Sequence, residues 1–471
     1  MNKVCFFILF VSCFAFSQNK QILYGFSEIP QSLMLNPGGN VKNDWYFGIP
    51  LISHFHVQVG ASGSTVYDIF ADDGINFNTK LKNAIYGMRS TDFYSVNEQL
   101  DIFSGGFAFG SSYNKNKYIS FGLYQEFDFI SYVPKDYIVL AFEGNQKNIN
   151  RRFDTGDLNF SGEMISVFHI GFNKKVNEQL TYGIRGKVYS SVANVSSIKN
   201  KGSFITTQGE NNFYNHIFDL DLELNTSGII SLLDDENSDI KNDISTLQKR
   251  FLLGGNLGLG FDVGFTYQID KQWTFDASLL DVGFIKHSKD IENYKLENQY
   301  TFEGIDPFFF ESTENQTADD YWSNIEEDFE DLFDSEINTN SYITWRPIKL
   351  NTSLNYSFGE KRFKDCYCLQ ANQGYQNAVG GQLYVINRPK QPQAALTAYY
   401  FRHLFKGLSA KITYTVDSYS FTNIGLGLSA QLGNVNFYMM ADNFLEYQNI
   451  YNAQSVSLQL GFNYIFNKNE D

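Results

Sequence analysis

His54 and His56 stand two positions apart in a stretch that alternates like a strand, so their side chains share one face. Two imidazoles at that spacing can supply two ligands to a metal ion. A metal centre needs a third, and none is evident from the sequence, so the pair reads as polar strand face. Asp219, Asp221 and Glu223 also share a face, opposite Leu220, Leu222 and Leu224. Their hard oxygens suit calcium, but no EF-hand-like loop with its spaced glycine is present, and a polar strand face is the simpler reading. Cys366 and Cys368 flank Tyr367, where a local disulfide and two free thiols both stay open; zinc would need more Cys or His close by. Arg185, Lys187, Asp262, Asp276 and Lys411 fall on the polar faces of alternating segments. If those faces line an interior, the five pair with one another or with plug residues, or they set ion selectivity. No GxSxG, phosphate loop or nucleophile–base spacing occurs. We therefore expect no enzyme, with no catalytic residue, no metal and no cofactor.

The elements that must carry these residues show a period of two. From Asn256 to Ile269 the odd positions are Leu257, Leu259, Phe261, Val263, Phe265, Tyr267 and Ile269, and the even ones are Gly, Asn, Asp, Thr and Gln. From Ser455 to Phe466 the even positions are apolar and the odd ones are Ser, Gln, Gly, Asn and Ile465. One face thus meets an apolar medium and the other a polar one. A soluble sandwich alternates too. The length of these runs, their Gly- and Ser-rich polar faces, and aromatics such as Trp273 and Tyr464 near their ends favour a membrane barrel. Seventeen candidate segments can be marked, among them 137–143, 213–225 and 296–304. Bacterial single-chain barrels have even strand numbers. Some candidates must then be hairpin extensions or plug pieces, and we expect about fourteen strands, with sixteen next. The fold class is all-β, a transmembrane antiparallel barrel with a few helical loop insertions. Helical spacing of apolar residues marks 78–88, 238–251 and 317–333.

Composition bounds the function. The chain has 471 residues with 36 Lys+Arg against 52 Asp+Glu, an acidic balance that argues against nucleic acid as a partner. Residues 1–17 have Lys3, an apolar stretch and Ala15-Phe16-Ser17, the pattern of a cleaved export signal. Cleavage would remove Cys5 and Cys13 and leave Cys366 and Cys368. Residues 18–43 hold Pro30, Pro37, Gly38 and Gly39, and read as an irregular plug or hatch. Such backbone can sit at membrane depth only when protein or water surrounds it. The barrel is expected over 44–466, with a tail at 467–471. Within it, 311–340 carries eleven acids and no Lys or Arg. Glu326, Glu327, Asp328, Glu330 and Asp331 form its densest part, either a docking surface for a partner or a solvated helix face.

Leu33-Met34-Leu35-Asn36-Pro37-Gly38 resembles the Leu-Asn-Pro-Ala element that follows the signal in FadL-like and PorV-like outer-membrane barrels of Bacteroidota, with Gly38 in place of Ala. Gly258 to Tyr267, the Leu280-Asp281-Val282-Gly283 strand and Met440-Ala441-Asp442-Asn443-Phe444 are similar to uncharacterised PorV-like barrel proteins. The resemblance implies a barrel with an N-terminal hatch, centred on Asn36, Pro37 and Gly38, and no catalytic residue. It places the protein in the outer membrane of a Gram-negative bacterium, among outer-membrane lipids. The first functional expectation is transport of small hydrophobic or amphipathic molecules. The alternative is a non-catalytic protein partner in outer-membrane assembly or type IX secretion, and a general porin comes third.

Overall fold

Strands that are apolar on one face need that face covered, and here nothing among the described residues covers it. The computed structural model describes residues 20–111, 114–209, 214–230, 240–302, 335–360 and 375–466. Residues 1–17, Glu326, Glu327, Asp328, Glu330, Asp331, Cys366, Cys368 and 467–471 lie outside the described residues.

Fourteen strands close on themselves. β1 runs in two halves, Trp45–Gly48 and Phe55–Ala61. It is followed by β2 (Phe93–Ser111), β3 (Asn114–Tyr132), β4 (Asn159–Lys175), β5 (Leu180–Gln208), β6 (Asn256–Gln268) and β7 (Trp273–His287). Then come β8 (Lys349–Glu360), β9 (Tyr375–Ile386), β10 (Gln393–Phe405), β11 (Leu408–Val416), β12 (Asn423–Leu432), β13 (Val435–Asp442) and β14 (Ser455–Phe466). Each pairs antiparallel with its neighbour, and β14 returns to β1 through Trp45↔Phe466 and Phe55↔Leu460. No edge is left open in the barrel wall, which removes the unpaired N–H and C=O groups that lipid cannot satisfy.

The alternation is inverted relative to a soluble protein. On β6, Leu259 and Phe261 are 59% and 45% exposed, while Asp262 between Phe261 and Val263 is 0% exposed. An outer surface of Leu, Ile and Phe all around a closed sheet fits only a hydrocarbon surround. Aromatic residues ring its ends: Trp273 packs on Tyr356 at 4.9 Å near one rim, and Trp345 on Phe284 at 5.8 Å near the other.

The two ends differ. Short turns at 176–179, 269–272, 406–407 and 433–434 lie at the end that also holds the β1 start and the β14 finish. The other end carries 62–92, 133–158 and the long excursions after β5 and β7. β5 is 29 residues long, well beyond the ~9–11 of a spanning strand. Its far half pairs with Tyr214–Ser227, which pairs with Asn293–Phe302, so a sheet stands above the barrel wall. The candidate segments 213–225 and 296–304 are this extension rather than barrel staves.

Segment 137–143 is not a strand. It belongs to α3 (Lys135–Glu143), after α1 (Val66–Phe70) and α2 (Phe77–Gly87). A short continuous apolar run cannot separate helix from strand by period alone. Here the helix wins because Val139 is buried in one cluster with Ile85 of α2 and Phe153 and Phe204 of the sheet extension. Helix α2 is capped by the Asn76 side chain, which accepts from the Asn78 N–H at 2.9 Å. A fourth helix, Ile240–Lys249, lies in the expected 238–251 stretch.

Candidate functional site

The interior of the barrel is filled by its own N-terminal chain. Ile22, Phe26 and Ile29 are fully buried, although no strand or α-helix holds them. The strands make room for this chain through inward-facing glycines. A Cβ on Gly427 would lie 2.5 Å from the Ile22 side chain, and one on Gly183 would lie 1.9 Å from the Pro37 carbonyl oxygen. A Cβ on Gly38 would strike the Gly264 carbonyl at 2.2 Å, so no alanine fits there without movement. Asn36 turns the chain, accepting from the Gly38 N–H at 2.9 Å and donating to the Phe265 carbonyl at 3.3 Å.

Side chains of the wall hold the orphan carbonyls of this irregular segment. Arg185 donates to the Leu33 oxygen at 2.5 Å and to the Met34 oxygen at 3.1 Å. Asn173 donates to the Pro37 and Gly39 oxygens at 2.8 and 2.9 Å. Ser278 donates to Leu35 at 2.6 Å, and Lys411 to Tyr24 at 2.7 Å. Gln31 and Asn463 exchange amide hydrogen bonds at 2.7 and 3.0 Å. An apolar contact set of Ile22, Leu23, Phe26 and Ile29 against Tyr438 and Met440 completes the seat.

Above Arg185 a chain of ion pairs crosses the lumen. Arg185 meets Asp262 at 3.3 Å, Asp262 meets Lys187 at 2.9 Å, and Lys187 meets Asp281 at 2.5 Å. Lys349 joins Asp281 at 2.8 Å to Glu126 at 3.2 Å. Arg346 joins Glu126 at 3.2 Å to Glu163. Four cations and four carboxylates alternate, so the chain is neutral in sum and each charge has an opposite neighbour. Pairing of this kind offsets the cost of taking charges out of water.

Three of the five lumen charges read from the sequence, Arg185, Lys187 and Asp262, are in this chain. Asp276 instead accepts from the Thr266 hydroxyl at 2.5 Å, and Lys411 binds carbonyls of the N-terminal chain. Asp281, Glu126, Glu163, Arg346 and Lys349 were missed by sequence reasoning. Asp281 enters through a bulge: the β6–β7 register shifts between Leu279 and Val282, and Asp281 takes φ +59°. The signal was the break of alternation at Leu279-Leu280-Asp281, inside the Leu-Asp-x-Gly element.

His54 shares a 2.6 Å hydrogen bond with the Tyr438 hydroxyl, and the buried His56 has no hydrogen-bond partner among the described residues. Asp219 and Asp221 face Arg152 and Lys199 at 3.5 and 2.6 Å on the sheet extension. Among the described residues no group of three or more His, Cys, Asp or Glu is placed to hold a metal.

Two cavities flank the filled lumen. A polar one of about 480 Å³ opens at the short-turn end, walled by Asn40, Asn43, Lys117, Asn173 and Thr266. An apolar one of about 180 Å³ lies in the raised sheet, between Leu140 of α3 and Phe153, Phe204, Phe218, Leu222 and Leu296. Burial there pushes the Tyr137 phenol up and, beside Phe204, holds the His216 imidazole below its ordinary value.

Comparison with known proteins gives a family and a set of barrels. A family model described as a family of unknown function, DUF5723, matches residues 37–442. No curated protein sequence matches the chain. The solved Ralstonia pickettii toluene transporter TbuX is 9% identical, with 93% of this chain and 94% of that one covered, at a TM-score of 0.42. A Pseudomonas aeruginosa FadL homologue is 10% identical, with 96% and 100% covered, at 0.41. The Pseudomonas putida toluene transporter TodX is 9% identical, with 96% and 93% covered, at 0.34.

Proposed function

The chain belongs to DUF5723, a family of unknown function, and from that premise we propose a gated outer-membrane barrel that passes small hydrophobic or amphipathic molecules. In this reading residues 1–17 are the export signal and 18–43 the hatch. The observation that carries the cargo class is the apolar pocket on the long-loop end. At about 180 Å³ it exceeds the roughly 150 Å³ that suffices for benzene in a cavity lined by Leu, Ile and Phe. Long loops are usually extracellular, so the pocket would meet cargo from outside. The hatch supports a gate because part of its seat is hydrogen bonds from wall side chains to its carbonyls, which water can replace on opening.

A disulfide lock tests this. Ile22→Cys with Gly427→Cys, in a Cys366→Ser and Cys368→Ser background, would pin the hatch to β12, whose Gly427 faces Ile22. Cells with a lipopolysaccharide outer leaflet should take up the fluorescent probe N-phenylnaphthylamine through the reduced protein and several-fold more slowly through the oxidised one. Equal uptake in both states would remove the transport reading.

A second reading, a non-catalytic protein partner in outer-membrane assembly or type IX secretion, draws on one feature. Phe302, ahead of the acidic stretch, and Glu336, near its end, lie on strands beyond the barrel wall at the long-loop end. Reversing the charges at Glu326, Glu327, Asp328, Glu330 and Asp331 should then release a co-purifying partner; an unchanged partner profile would remove this reading. A general porin fits poorly with a lumen crossed by ion pairs and hatch.

A further inference from the structure

The hatch is not the only obstruction. Residues 387–392, Asn387-Arg388-Pro389-Lys390-Gln391-Pro392, link β9 to β10 at the long-loop end. Instead of turning outward, this link reaches across the mouth to the far wall. The Arg388 guanidinium meets the Asp128 carboxylate of β3 at 2.7 Å, and both side chains are buried. In a ring of fourteen strands, β3 stands six or seven places from β9 and β10, so this pair spans the barrel. Asn97 of β2 holds the other Asp128 oxygen at 3.3 Å. Lys390 donates to the Ser90 carbonyl at 3.0 Å and to the Asp157 carboxylate at 3.1 Å, and lies over the Tyr132 ring at 5.2 Å.

The neighbouring turn between β11 and β12 also bends inward. Its Tyr419 is buried against Phe93 at 5.3 Å, in a space that exists because position 60 of β1 is glycine. A Cβ there would lie 2.4 Å from the Tyr419 ring. Below this layer lie the ion-pair chain and a small polar cavity of about 30 Å³ lined by Lys20, Glu126, Asp281, Lys349, Asn351 and Tyr384. Below that lies the hatch.

We infer that the 387–392 strap is a second closure of the lumen, independent of the hatch, with Arg388 and Lys390 as the residues that determine access from the long-loop side. The strap has the construction of a releasable bar. Pro389 and Pro392 stiffen it. Its cross-mouth attachment is made by two cationic side chains, by the tyrosine ring under Lys390, and by the Lys390 N–H, which donates to the Tyr132 hydroxyl at 3.4 Å. It belongs to the transport reading for its purpose, but its existence as a closure can be measured without transport.

The test uses the full chain purified in mild detergent, with Cys5→Ser, Cys13→Ser, Cys366→Ser and Cys368→Ser, and a single reporter, Asn351→Cys, on the small polar cavity. A membrane-impermeant maleimide reports access to that cavity. With Arg388→Ala and Lys390→Ala together, the labelling rate should rise by about tenfold, because labelling follows the population of the open state. Exchanging the charges as Arg388→Asp with Asp128→Arg should return labelling toward the parent rate, while Arg388→Asp alone should stay fast. Lys390→Ala alone, at a partly exposed position, keeps the test alive if the buried variants fail to fold, and should give a smaller rise in the same direction. Unchanged labelling in the strap variants, or a charge exchange as fast as Arg388→Asp, would overturn the inference. Strap-controlled labelling in a protein that carries no probe would keep the second closure and remove transport; transport with strap-independent labelling would do the reverse.

Discussion

Asp262 shows what one residue does in this lumen. Its carboxylate is fully buried, meets Arg185 and Lys187 and accepts the Asp281 N–H at 2.8 Å. Burying such charges costs desolvation free energy, and removing one partner leaves the others without compensation. Asp262→Asn should therefore lower unfolding stability by about 3–5 kcal/mol, measured by denaturant unfolding of the refolded barrel. Because Arg185 also holds the Leu33 and Met34 carbonyls, the same variant should expose the hatch to protease at Lys42. A loss well under 1 kcal/mol would show that water already reaches the pair. Arg185, Lys187 and Asp262 were legible because each sits in the inward phase of a regular strand. Asp281 was not, because a bulge and a left-handed backbone reset the phase there.

At the scale of elements, the inward glycines serve the chain they surround more than the strands they interrupt. Glycine weakens a strand interior, and its presence there marks close approach of another backbone. Gly183 and Gly264 face Pro37, Gly38 and Asn36, and Gly425 and Gly427 face Ile22. Gly183→Val should thus unseat residues 36–39 while leaving the barrel folded. The expected result is faster tryptic cleavage after Lys42 with unchanged heat-modifiable migration; loss of migration would mean that the seat and the wall fold as one unit. The alternation made these positions visible as polar face, and their composition suited a wet or a tightly packed interior alike. What they were shaped to admit was invisible, because residues 20–39 and their seats are separated by up to several hundred positions. Segment 137–143 misled for a local reason: six consecutive apolar residues carry no period.

For the molecule as a whole, closure and an apolar exterior act together. Phe261 projects outward near the middle of β6, and Arg at that position should cost ~2–4 kcal/mol of folding into vesicles. Thr266→Ser, on the inward face, should be close to neutral. Equal effects at the two positions would contradict the assignment of faces. The end with long excursions carries the raised sheet, the apolar pocket and the strap, and the end with short turns carries the polar cavity and both barrel termini. The N-terminal chain fills the lumen between them and the 387–392 link crosses its mouth, an arrangement that no strand by itself expresses.

The sequence by itself determined that the strands are amphipathic with period two and that their apolar faces look outward; for the wall it left seventeen candidate segments and an expectation of about fourteen strands, with sixteen next. Those properties are local: each depends on residue type at i, i+2 and i+4 and on the rule that no edge stays open in hydrocarbon. The tertiary structure decided which inward charges meet, where a bulge delivers Asp281, how the glycines cast the N-terminal chain, and that Arg388 crosses to Asp128. These depend on strand stagger and on which staves face one another across the ring, quantities set by closure of the whole sheet rather than by the pattern along any one strand.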